Sequence, residues 1–182
     1  GKFQINQNGY ATGTFTYAAT GSTFAWNLSN ASGVYYGPIG AHTYWPSTNP
    51  PYNVTIINSN SGGGVDIDNI SRTIAGTFTL AGKIINNCNL TYSGSIALNS
   101  NYEWGSSCGT FTYSCPSSNT LTYGSGGTVT RGPEWTSGLT PSNVVISNNT
   151  TINGPTAGTA NICGDLTISS GSNLYMDYSG GS

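Results

Sequence analysis

The chain has 182 residues, of which 36% are hydrophobic, 12% aromatic and only 5% charged, with a formal net charge of -2. Four bases (Lys2, Arg72, Lys83, Arg131) and six acids (Asp66, Asp68, Glu103, Glu134, Asp165, Asp177) make no basic stripe for a phosphate backbone and no polybasic membrane patch. That excludes nucleic acid as a partner, and with no apolar run of about 18 residues it argues against membrane insertion.

The apolar share is large enough to build a core, so low charge does not signal disorder. The polar remainder is mostly Asn, Ser, Thr and Gly, which suits short strands between tight corners. In chain order, strand-like runs are Phe3–Ile5, Thr14–Tyr17, Thr23–Trp26, Asn53–Ile56, Val65–Ile67, Thr77–Leu80 and Leu90–Tyr92. They continue as Thr110–Tyr113, Thr120–Tyr123, Val144–Ile146, Leu166–Ile168 and Leu174–Met176. Most alternate an apolar residue with Thr, Asn or Gln, the period of a strand with one buried face. No window sustains a helical period, so helix content is expected to be very low.

An internal repeat organises these runs. Gly13–Tyr17 recurs letter for letter as Gly109–Tyr113, at an offset of 96. Gly1–Asn8 is echoed by Gly94–Asn101 at an offset of 93, and Tyr44-Trp45 by Glu134-Trp135 at 90. Asn53–Ile56 answers Asn143–Ile146 at 90, and Gly76–Leu80 answers Gly164–Ile168 at 88. Five segments in the same order, with a slowly drifting offset, mean two diverged copies of about 90 residues: a first repeat over 1–93 and a second over 94–182. The pattern is expected to run on beyond both ends, as in a fragment of a longer chain.

Short strands with polar corners fit a right-handed parallel β-helix (a solenoid) or a chain of tandem β-sandwiches. The β-helix is preferred because two-residue hairpin turns are missing between adjacent strands, and units such as Cys88–Leu98 set one strand after another through Ser-Gly. The Pro- and Gly-rich stretches from Tyr35-Tyr36 to Pro51 and from Pro133 to Pro141 are expected to be loops leaving the stack. The four cysteines, Cys88, Cys108, Cys115 and Cys163, lack the close pairs of a zinc site, so two disulfides of an oxidising compartment are expected. Three connectivities are open. Cys88 and Cys108, 20 residues apart, would suit neighbouring coils.

Chemistry-bearing groups are sparse. Asp66 and Asp68 share one face of a strand and are candidate calcium ligands or simply two solvated residues; no other cofactor is expected. His42 stands alone, without the carboxylate cluster or nucleophile–base pair that a hydrolase needs, so no catalytic residue and no enzyme activity is expected. Tyr36, Tyr44, Trp45, Trp104 and Trp135 are candidates to stack on glycans; the alternative is that Trp45 and Trp135, matched by the repeat, cap the hydrophobic stack.

At Gly1–Gly9, Tyr44-Trp45-Pro46, Pro51–Ile56, Ser71–Phe78, Arg131–Trp135 and Asn161–Gly171 the chain resembles repeat regions of large surface proteins that Bacteroidetes-type bacteria secrete through the type IX system. The resemblance implies a secreted, adhesin-like or filament-like protein at the cell surface and supplies no catalytic residues. The expected function is a structural stalk, fibre or adhesin shaft whose partners are neighbouring repeats of the same or identical chains. A glycan-binding adhesin module is the alternative. A β-helix carbohydrate-active enzyme and an ice-binding solenoid, which would want a stricter Thr-x-Thr ladder, come behind.

Overall fold

The computed structural model describes residues 1–6, 9, 11–28, 34–36, 44–57, 64–66, 72–85, 87–100, 102–104, 107–113, 115–154 and 159–175; at 34–36, 64, 66, 85, 87–89 and 107–110 it describes the backbone alone. Among them the regular elements are strands and one short 3-10 helix, Pro133–Trp135. The strands are β1 (Lys2–Asn6), β2 (Thr23–Asn27), β3 (Val34–Tyr36), β4 (Asn53–Ile57), β5 (Gly64–Asp66), β6 (Arg72–Ile74), β7 (Thr77–Ala81), β8 (Ile84–Ile85) and β9 (Asn87–Tyr92). They continue as β10 (Ser95–Asn99), β11 (Ser107–Phe111), β12 (Thr120–Gly124), β13 (Gly127–Thr130), β14 (Asn143–Ile146), β15 (Thr150–Asn153), β16 (Leu166–Ile168) and β17 (Asn173–Tyr175).

The protein is all-β, and its described strand pairs are parallel. Eight strands form one long sheet in the order β1-β2-β4-β7-β10-β12-β14-β16. Three-stranded sheets β11-β9-β6, β13-β15-β17 and β3-β5-β8 accompany it. Parallel neighbours need a crossover between them, and among the described residues a strand of a short sheet lies in every such connection of the long sheet except that from β1 to β2. Sandwiches are built from antiparallel hairpins, and among the described residues no such pair occurs; the tandem-sandwich expectation has no support in the pairing.

Side-chain alternation explains the interior. On the long sheet one inward row is Phe3, Phe24, Val54, Phe78, Ile96, Leu121, Val144 and Leu166, and the other is Ile5, Trp26, Ile56, Leu80, Leu98, Tyr123, Ile146 and Ile168. Successive residues of a strand point to opposite faces, so apolar letters two apart deliver two continuous apolar rows. From β2 to β14 both rows are buried, and they join Val65, Ile74, Ile84, Leu90, Tyr92, Phe111 and Ile152 of the short sheets in one core.

Matched asparagines clamp the corners. Asn53 Nδ2 donates to the Ser22 carbonyl at 3.2 Å, and its Oδ1 accepts from Thr77 N at 2.8 Å. Asn143 does the same, donating to Asn119 O at 3.4 Å and accepting from Asp165 N at 3.1 Å. Each side chain thus bonds the strand before it and the strand after it in the sheet. The amide sits so close to the next corner that only glycine fits there: a Cβ on Gly76 would run into Asn53 Oδ1, and one on Gly164 would lie 2.5 Å from Ser142 O and 2.7 Å from Asn143 Oδ1.

One loop expectation and one strand expectation change. Tyr35-Tyr36 was expected in a loop but lies in β3, paired in register with β5. Thr14–Tyr17 forms no strand, whereas its duplicate lies partly in β11, which has β9 beside it to take its backbone bonds. Of the cysteines, Cys115 and Cys163 form a disulfide closing 48 residues, which leaves Cys88 and Cys108 for any second pair. Their strands β9 and β11 set Cys88 opposite Cys108; both side chains lie outside the described set. No helix is long and apolar enough to cross a membrane.

Gly164→Ala and Gly76→Ala are each expected to cost about 2 kcal/mol, because the methyl must push a corner carbonyl or amide aside. Urea denaturation checks this as a lower midpoint at unchanged slope. Midpoints equal to wild type would show that the corners have room to spare.

Candidate functional site

The sequence points first to the aromatic residues, and the structure puts them inside. Trp45 and Trp135 are 0% exposed and Tyr44 is 2% exposed. A ring with no open face cannot stack on a sugar, so for these three the packing alternative replaces glycan contact. Trp104 is half-buried against Phe78, Tyr92 and Phe111, with ring centroids 6.0, 6.1 and 5.4 Å away. The side chains of Tyr36 and Asp66, and the whole of His42 and Asp68, lie outside the described residues.

The two buried tryptophans are built alike. Tyr17 Oη donates to the Tyr44 carbonyl at 2.7 Å, and its duplicate Tyr113 donates to the Glu134 carbonyl at 2.7 Å. One identical pentapeptide thus holds the residue before each tryptophan with one identical bond. An arginine lies over each indole: Arg72 is 5.9 Å from the Trp45 ring and Arg131 is 5.4 Å from the Trp135 ring. Both arginines are buried, where a desolvated cation over an aromatic face is worth more than at the surface. The arginines come from unrelated places in the repeat, so sequence comparison of the copies does not reveal them. Trp135 also donates Nε1–H to Asn161 O at 3.1 Å.

The copies differ at the preceding residue. Tyr44 fills its place with a ring against Phe3, Phe15 and Phe24, at 6.1, 5.7 and 6.2 Å. Glu134 puts a carboxyl there, fully buried, accepting from Tyr123 Oη at 2.6 Å and Gly132 N at 2.9 Å. Burial raises the Glu134 pKa above the ordinary carboxyl value, and the hydrogen bonds from Tyr123 and Gly132 only partly offset it. Burial likewise raises the Tyr123 phenol. The signal for this group was legible in part: Arg131 and Glu134 both stand within the four residues before one tryptophan, in a chain that has ten charged residues altogether.

On its outward side the long sheet carries few charges. Its central outward row is Gln4, Ala25, Thr55, Thr79, Ala97, Thr122, Val145 and Thr167, of which Ala25 is itself buried, flanked by Lys2, Thr23, Asn53, Thr77, Ser95, Thr120 and Asn143. Among the described residues no group of three or more His, Cys, Asp or Glu could hold a metal ion. The exposed ion pair is Lys83 with Glu103, which also joins their backbones by a parallel bridge. A cleft of about 230 Å³ lies between Tyr17, Asn49, Pro50, Pro51, Tyr52 and Thr73. Compared with known proteins, the chain matches no family model, no curated protein and no solved structure.

A raised carboxyl pKa means that the fold favours the protonated acid. The stability this contributes is fully present below the carboxyl's unfolded pKa and is lost as pH rises through the folded one. Wild type is therefore expected to melt several degrees lower at pH 8 than at pH 4. Glu134→Gln, whose amide oxygen can still accept from Tyr123 and Gly132, should flatten that dependence. Parallel melting curves for the two proteins would refute a buried ionisation at this site.

Proposed function

We propose that the chain is a right-handed parallel β-helix that serves as a rigid shaft segment of a secreted cell-surface protein. The observation that carries this reading is the unbroken pair of inward rows along eight parallel strands. Such a stack buries a core at every level, and its seven inter-strand steps of about 4.8 Å make it about 34 Å tall. Three features support the coil. Successive long-sheet strands are neighbours, short-sheet strands precede or follow them at matching levels, and parallel crossovers are overwhelmingly right-handed. The Cys115–Cys163 disulfide supports an oxidising, extracellular setting. The sparsely charged outward face and the dispersed charges support a mechanical role over a catalytic one.

Pulling single molecules from their two ends under reducing conditions tests the coil. A β-helix should yield in steps of one circuit, about 18 to 30 residues each, or roughly 60 to 100 Å of released chain. Two ruptures of about 300 Å each, one per 90-residue repeat, would overturn the coil and favour two compact domains. Antibodies to the chain should label unpermeabilised cells that express it. Labelling only after permeabilisation would overturn the surface location.

A second reading is favoured by the cleft beside Tyr17 and Tyr52, where two half-buried rings and two prolines form an apolar wall of saccharide size. If it takes a glycan, an array should show saturable binding that Tyr52→Ala weakens about tenfold, in line with the loss of one stacking ring. Binding unchanged in that variant would overturn the cleft as the site.

A further inference from the structure

The two copies treat one place in the repeat differently. Besides its tyrosines and prolines, the cleft of the first copy is lined by Ala19 and Ala75. Ala19 follows Tyr17 by two residues, as Cys115 follows Tyr113, and Ala75 directly precedes Gly76, as Cys163 precedes Gly164. Both anchors are matched in space. Tyr17 and Tyr113 make the same bond to the residue before a tryptophan, and Gly76 and Gly164 sit under the same asparagine clamp.

In the second copy that place is bridged. Cys115 and Cys163 are bonded across it, with Cα atoms 6.2 Å apart. The Cys115 sulfur lies 3.2 Å from the Thr140 carbonyl oxygen, and Cys163 N donates to the Pro141 carbonyl at 3.2 Å. Thr140 and Pro141 stand 90 residues after Pro50 and Pro51, the offset of the tryptophans. The bridge thus runs against the residues that match the proline wall of the first-copy cleft. Two alanine methyls in place of two bonded sulfurs leave the first copy open there, at about 230 Å³.

The open place suits one kind of ligand. No ionised side chain lines it. Two half-buried tyrosine rings and two prolines supply apolar faces, and Asn49 and Thr73 supply an amide and a hydroxyl at its exposed rim. A pyranose ring presents the same mixture, C–H faces edged by hydroxyls, whereas a charged sugar would lose water there without gaining a counter-ion. We propose that the cleft of the first copy binds one uncharged saccharide ring, and that the second copy is closed at the same place by its Cys115–Cys163 bridge. This rests on the glycan reading of the cleft and adds the charge class of the sugar and a count of one site per chain.

The test transplants the bridge. Ala19→Cys with Ala75→Cys should close across the cleft, one glutathione disulfide taking up the two electrons and two protons of the new thiols and leaving as two glutathiones. Free-thiol counts and mass spectrometry read the closure, and circular dichroism melts confirm that each variant stays folded. Chemical-shift titration of isotope-labelled protein reads binding, with the methyl glycosides of glucose, galactose and N-acetylglucosamine as neutral probes and methyl glucuronide as the charged one. In wild type a neutral glycoside should shift Tyr17 and Tyr52 but not Tyr113, and the glucuronide should shift none of them. The closed variant should bind at least about tenfold more weakly, the loss expected when the rings can no longer be reached, and reduction should restore it. Cys115→Ala with Cys163→Ala should keep wild-type affinity, which assigns the effect of the reductant to the new bridge.

A new cysteine pair that stays reduced would overturn the matched placement. Closure without loss of binding, shifts at Tyr113, or a glucuronide that binds as well as the glucoside would each overturn the proposal. So would wild type that binds none of these probes. In any of those cases an array hit weakened by Tyr52→Ala would still uphold the glycan reading, so the two failures are told apart.

Discussion

A parallel backbone ladder sets successive strands of the long sheet about 4.8 Å apart, and the rest of the molecule follows from that spacing. Side chains in one row must then stack on their like at contact distance. Phe24 over Val54 over Phe78 is such a stack, and it leaves no level of the interior without apolar filling. The same spacing brings corner carbonyls within reach of a short amide side chain. Asn53 and Asn143 therefore span three levels of chain each, where a longer Gln or an acceptor-only Asp would not serve both neighbours.

Aromatic packing supplies the width of the interior where aliphatic rows alone would leave it thin. Tyr92 and Phe111 stack with centroids 4.5 Å apart and planes 8° from parallel, and Trp104 meets Phe111 edge-on. The buried arginines extend this pattern. Arg72 and Arg131 are half of the chain's bases, and both are inside, over indoles. With Glu134, three of the chain's ten charged residues are buried, a large share for groups so costly to desolvate.

Much of the fold was legible in the letters. Apolar–polar alternation identified β1, β2, β4, β7, β12 and β16, and the duplicated pentapeptide led to the matched bonds of Tyr17 and Tyr113. Strands such as β6, β13 and β15 were missed because they are short and rich in Thr and Gly, so that tertiary pairing and not local pattern makes them extended. For the aromatic residues the letters left two readings open, glycan stacking and packing, for a related reason. Tyr44, Trp45 and Trp135 sit among prolines and glycines, which speak of surface turns, yet the turns fold inward because Tyr17 and Tyr113 hold them there. No local signal reports a hydrogen bond to a residue more than twenty positions away.

The circuits between long-sheet strands are uneven. Thr23 lies opposite Asn53, thirty residues on, while Phe78 lies opposite Ile96, only eighteen on. The rows resume in step after either length, and the entropy of closing a connection rises only slowly as it lengthens. Evolution can thus write insertions into one circuit without revising those above and below it. The length of a connection and the packing of the interior are thus separable properties of such a molecule.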